Sequence, residues 1–87
     1  MEPLQKFILE HNTMTLATVG NNVASAAAVF YVPIKNNTSL IFVSNPESEH
    51  ILNSKVEPRC AITIQENGLE WSVIKGAQLK GTVNVAE

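Results

Sequence analysis

Residues 40–55, LIFVSNPESEHILNSK, constrain the fold more than any other stretch, because they read as a strand passing through a tight turn into a short helix. Leu40, Ile41, Phe42 and Val43 form a β-rich apolar run that Ser44 closes. Asn45 is a good N-cap and Pro46 suits the first helical position, after which Ile51 and Leu52 supply a buried stripe. A helix that begins this way leaves its first backbone N–H groups without partners and aims the positive end of its dipole beyond the strand's end. Ser44, Ser48 and His50 surround that point, which makes it a candidate anion site. The competing reading is structural: Asn45 caps the helix and the serines face water.

The elements on either side point to antiparallel β structure. Pro3 sits where a first-turn proline is tolerated, and Leu4, Phe7, Ile8 and His11 follow at a spacing that predicts an amphipathic helix over residues 3–11. Met14 to Val19 reads as a central strand, and Gly20, Asn21 and Asn22 predict a hairpin into a second strand, Val23 to Val32. That second strand carries Ala24, Ser25, Ala26, Ala27 and Ala28 before Phe30 and Tyr31, so it has little side-chain bulk. Such a surface lets a flat object come close to the backbone, whether a helix, a neighbouring sheet or an aromatic cofactor ring. Alanine also favours helix, but Val29 to Val32 leading into Pro33 favours a strand ending before the proline.

Asn36 and Asn37 predict the next turn, Pro58 a boundary after the second helix, and Cys60 to Gln65 an alternating strand that ends at the Glu66, Asn67, Gly68 turn. Beyond it Trp71 and Val73 share a side, Gly76 permits a bend or bulge, and Leu79, Val83 and Val85 alternate with Lys80, Thr82 and Asn84. This is one long kinked strand or two consecutive ones. The expected architecture is a mainly β, single-domain antiparallel barrel over residues 1–87 with two peripheral helices, since closure removes exposed edges.

Composition narrows the function classes. Hydrophobic residues make up 45% of the 87 and charged ones 16%, apolar for a domain with so much surface, so part of that surface is expected to meet another chain or a ligand. A formal charge of −2 without a Lys/Arg cluster argues against nucleic acid or an anionic membrane as partner. Cys60 is the single cysteine, which rules out an internal disulfide and fits a reducing compartment. Met1 to Asn12 lacks the apolar core of a signal peptide and no apolar run approaches the roughly 18 residues of a membrane span, so a cytoplasmic protein is expected. No metal site is expected, because His11 and His50 lie in different helices without Cys or carboxylate partners at ligand spacing. Cys60 reads as a small buried hydrophobe rather than a nucleophile, and Glu66 and Glu70 as solvated hairpin carboxylates. No residue stands out as a catalytic acid or base.

TLAT in an opening strand, an alanine-rich strand running into VFYVP, LIFVS followed by NPESEH, and VIKGAQLKGTV together resemble the pyridoxamine 5'-phosphate oxidase-like, FMN-binding split-barrel family across nearly the whole chain. The resemblance implies a split β-barrel with an FMN phosphate held near Ser44, Ser48 and His50, where His50 stands at a position that the family fills with Lys or Arg. It also implies that the backbone from Ala26 through Ala27 and Ala28 to Val29 passes close to the isoalloxazine ring and that Gln78 belongs to a looser family pattern; Trp71, near a hairpin end, is a candidate for a flavin-facing or dimer-interface aromatic, with ordinary core packing as the competing reading. Family members continue with further strand and helix, so the chain is expected to be either a C-terminally truncated piece or a minimal member. Two functions follow from the resemblance: an FMN-dependent oxidoreductase acting on a small molecule of unknown identity as a homodimer, or a non-catalytic flavin-binding, ligand-binding or dimerising module of the same fold.

Overall fold

The computed structural model describes residues 3–34, 39–66 and 76–86. Its organising feature is a two-residue turn in which Asn21 and Asn22 both take left-handed backbone angles, φ 52° and 64°. Asparagine tolerates that region better than other side-chain-bearing residues, and the turn's twist matches that of the strands it joins. It connects β1 (Thr13–Gly20) to β2 (Val23–Phe30) in full antiparallel register, from Gly20 opposite Val23 to Thr13 opposite Phe30.

That register sorts side chains by face, because residues directly opposite one another project from the same side of the sheet. Met14, Leu16 and Thr18 pair with Val29, Ala27 and Ser25 on the inner face. Thr15, Ala17 and Val19 pair with Ala28, Ala26 and Ala24 on the outer face. β1 also pairs with β5 (Arg59–Gln65), and β5 with β6 (Gly76–Thr82), giving a four-stranded sheet in the order β2-β1-β5-β6. Ile62 and Leu79 join the inner face beside Leu16, which is fully buried together with Ile64.

Two helices close part of this face. α1 (Pro3–Glu10) buries Ile8 and is tied to the strands by the Tyr31 hydroxyl, which donates to the Ile8 carbonyl at 2.7 Å. Burial raises the Tyr31 phenol above its ordinary range, so it stays a proton donor. α2 (Glu49–Val56) rests on the end of β1, where Asn53 Nδ2 donates to the Thr18 hydroxyl oxygen at 3.2 Å directly over Gly20. Burial also pushes the Cys60 thiol up, in keeping with a small interior hydrophobe.

Three boundaries differ from the sequence reading. The second strand does not run to Val32: β2 ends at Phe30, the Tyr31 N–H still bonds the Asn12 carbonyl opposite it at 2.9 Å, and a separate β3 (Val32–Ile34) pairs with β4 (Ser39–Ile41) as a two-stranded sheet. Pro33 sits inside β3, which a short two-stranded ribbon permits because, among the described residues, each of its strands is paired on one side alone. β4 ends at Ile41 rather than Val43. Among the described residues the strands form two antiparallel sheets, in keeping with the expected split barrel. The turns expected at Asn36–Asn37 and Asn67–Gly68, and Trp71 with Val73, lie outside the described residues.

Gly20 gives the docking of α2 a test. A Cβ there would collide with the Asn53 carboxamide. Gly20→Ala is expected to cost about 1 to 3 kcal/mol by urea denaturation, as overpacking does. Asn53→Ala in the same background should return most of that loss; additive penalties would mean that α2 is not braced there.

Candidate functional site

The junction between β4 and α2 folds differently from the sequence expectation, and the difference shapes the site. Asn45 does not cap the helix: its side-chain oxygen accepts the Glu47 N–H at 2.9 Å, and its carbonyl accepts the Ser48 N–H at 3.0 Å. Asn45 to Ser48 therefore form a tight turn in which Pro46 is a turn residue, and α2 begins at Glu49 with Ser48 as N-cap. Asparagine's short amide offers both options, and the local turn outcompetes the cap. The Ser48 hydroxyl makes no cap bond; it donates to the Asn45 carbonyl at 2.7 Å. The first N–H groups of α2 thus have no side-chain oxygen from their own cap.

His50, on the first turn of α2, folds back over this junction. Its Nε2 lies 2.7 Å from Ser44 Oγ and 3.3 Å from Ser48 Oγ, and its ring centroid is 6.2 Å from that of Phe42. The Ser54 hydroxyl donates to the His50 carbonyl at 2.6 Å, pinning the backbone below. Because the single Ser48 proton goes to Asn45, Ser48 Oγ can only accept from the imidazole. Both contacts are satisfied together when Nε2 carries the hydrogen and shares it between the two serines. A histidine in that tautomer is a donor to Ser44 and not its base, and no carboxylate among the described residues bonds the ring, so the pair lacks the arrangement of a nucleophilic serine.

These groups form one end of a surface depression of about 640 Å³. Ala28, Val29 and Phe30 of β2, Tyr31 and Val32 beyond it, and Ile41, Phe42 and Val43 make its apolar walls, while Ser44, Asn45, Ser48 and His50 make its polar end. Small-molecule sites of roughly 300 to 1,000 Å³ combine these features: apolar walls with a few convergent polar groups. Five of the eight residues singled out in the sequence, Ala28, Val29, Ser44, Ser48 and His50, meet here from separate parts of the chain. Ala27 does not: alternation turns it to the inner face opposite Leu16. Gln78 lies on β6, at the far edge of the sheet from β2, and does not line the depression. Trp71 lies outside the described residues.

The lining also includes residues that sequence reasoning missed. Phe30 and Val43 are 73% and 91% exposed, and Val32 and Ile41 are also exposed, so the apolar run VFYV does not all turn inward. The signal was present in its length, since an uninterrupted apolar run cannot bury both faces at the edge of a sheet. Beneath the inner face a second, larger groove of about 1280 Å³ runs between α1, β5 and β6, lined by core side chains such as Leu16, Ile62 and Leu79 and bordered by Lys55 and Lys80.

The model of a family described as pyridoxamine 5'-phosphate oxidase matches residues 1–87. Two solved structures are similar: the heme storage protein HutZ from Vibrio cholerae, with TM-score 0.82 and 18% identity over 97% of this chain, and the conserved hypothetical protein Rv2991 from Mycobacterium tuberculosis, with TM-score 0.78 and 21% identity over 94%. At these identities the likeness is one of fold. The chain spans 61% of the first and 51% of the second. A search of the curated proteins finds no match.

The tautomer deduced for His50 is open to measurement. Nitrogen-15 NMR of the neutral ring should show the proton on Nε2 in the great majority of molecules. A majority with the proton on Nδ1 would make His50 the acceptor from Ser44 and overturn the hydrogen-bond assignment.

Proposed function

The chain belongs to the pyridoxamine 5'-phosphate oxidase family, and from that premise we propose that the depression beside β2 binds FMN for flavin-dependent oxidoreduction of a small molecule. Members of the family commonly bind FMN. The observation that carries the reading is the donor set: two serine hydroxyls, an imidazole N–H and an uncapped helix start converge at one end of an apolar depression. Hydroxyls, N–H donors and a helix dipole suit a phosphate. Ala28 and the backbone at Val29 suit the close approach of a flat ring. Bound flavin would supply the electron or hydride transfer. Ser44, Ser48 and His50 would hold the phosphate, and the apolar wall from Phe30 to Val43 would exclude water from the ring.

A second reading, a non-catalytic module that holds a ligand or pairs with a partner, is favoured by one feature. Among the described residues the lining offers no carboxylate, cysteine or lysine, and the Tyr31 hydroxyl is already committed to Ile8, which leaves His50 as the one described group suited to proton transfer. HutZ is described as a heme storage protein, which shows that this fold also serves storage. In both readings the chain works in the cytoplasm. Among the described residues, no helix is long and apolar enough to cross a membrane.

Flavin absorbance and fluorescence titrations test the assignment. FMN is expected to bind; Ser48→Ala should weaken it by roughly 1 to 3 kcal/mol through loss of a bond to a charged group. Ala28→Leu should impair FMN binding with little change in stability, whereas Ala27→Leu should destabilise the fold, because the two face opposite ways. No flavin bands and no quenching on addition of FMN would remove the proposal, and bound flavin that no candidate substrate reduces would favour the module.

The exposed Phe30, Val32, Ile41 and Val43 form an apolar rim that a homodimer would cover, with the depression at the interface. Sedimentation at micromolar concentration should give twice the 9.5 kDa chain mass, and Phe30→Glu should shift it toward the single chain. A 9.5 kDa species alone in the parent protein would contradict the dimer.

A further inference from the structure

No lysine or arginine lines the depression among the described residues, and His50 is the side chain there able to become a full cation. We infer that anion binding at this site is coupled to protonation of His50, so that FMN enters together with a proton; the inference rests on the FMN reading above. Above its second pKa of about 6 a phosphate monoester is a dianion. Hydroxyls and helix N–H groups meet it with partial charges only. The His50 Nε2 lies 2.7 Å from Ser44 Oγ and 3.3 Å from Ser48 Oγ, so a phosphate held by those two hydroxyls lies against the imidazole. An anion in that position favours the charged ring.

The other ionisable groups on the elements around His50 do not supply this charge. Glu47 in the turn and Glu49 beside His50 are exposed carboxylates of the wrong sign. Tyr31 donates to the Ile8 carbonyl and its phenol is held protonated by burial. Lys55, in the last turn of α2, borders the groove beneath the inner face instead. None of the ion pairs among the described residues involves His50.

The sign follows from linkage. The bound state takes up a proton that the free state lacks, so affinity is greatest on the acid side and weakens as pH rises, by at most about tenfold per pH unit. Protonation of the phosphate itself blunts the gain below about pH 6.

Isothermal titration of FMN into the full chain at about pH 7.5, where the phosphate is dianionic, in two buffers of different ionisation enthalpy counts the protons directly. The expected result is net proton uptake with FMN, none with phosphate-free riboflavin, and FMN affinity that falls with pH. His50→Gln keeps a neutral donor and should show weaker FMN binding with no uptake, while His50→Lys should bind without uptake and lose the pH dependence across neutrality. Equal FMN heats in the two buffers, or the same uptake with riboflavin, would overturn the coupling and leave the FMN reading standing. Failure of FMN to bind at any pH would overturn that reading and the coupling with it. Should His50→Gln not fold, the paired heats of the parent protein decide alone.

Discussion

The register of the β1–β2 hairpin is the constraint on which the rest of the structure depends. Two consecutive asparagines in left-handed geometry set Gly20 opposite Val23, and every other β1–β2 pairing follows from that closure. A slip of one residue would send Met14 and Leu16 to the outer face and Thr15 inward, exchanging core for surface along the whole strand. The same register sends Val29 into the core and Ala28 out toward the depression. One local turn therefore sets the faces of β1 and β2, and β2 serves both core and depression through its residues.

The second determinant is the way α2 starts. Had Asn45 capped the helix, its amide would have engaged the first free N–H groups, and the helix would begin closer to the strand. Instead Asn45 folds the turn, Ser48 spends its proton on the Asn45 carbonyl, and His50 donates back across the junction to both serines. The polar end of the depression is thus built from side chains that satisfy one another when no ligand is present. Such an arrangement avoids an orphaned donor, and a phosphate can replace each contact with a stronger, charge-assisted one.

Element types and order were legible because they rest on local signals: alternation in β5, the turn residues at 20–22, and the strand-to-helix change at 44–49. Ser44, Ser48 and His50 were legible as a group for the same reason, since all three lie within seven positions of one junction. What the sequence concealed depends on competition between near-equal choices. Asn45 and Ser48 can each cap or turn, and only tertiary packing decides. Tyr31 looks like one more strand residue, yet its hydroxyl is tied to the Ile8 carbonyl and the chain leaves β1 just beyond it, so Val32 pairs with Ile41 in a separate ribbon. Ala27 and Ala28 look alike until the register assigns them opposite faces.

An edge strand of small residues has a consequence for stability. On the inner face β2 contributes Ser25 and Ala27 beside Val29, so the apolar burial there falls largely on β1 and β5, where Leu16 and Ile64 are fully buried. Each absent methylene forgoes about 0.8 kcal/mol of burial, which a leucine at position 27 would in principle regain. It would do so only by displacing Leu16 or the residues behind it, because the facing position is already filled. On the outer face the same smallness leaves the backbone of β2 approachable beside Ala28, at the place where the serines and His50 converge. The alanine run thus limits what β2 can add to the core, and that limitation is inseparable from the access it gives to the depression.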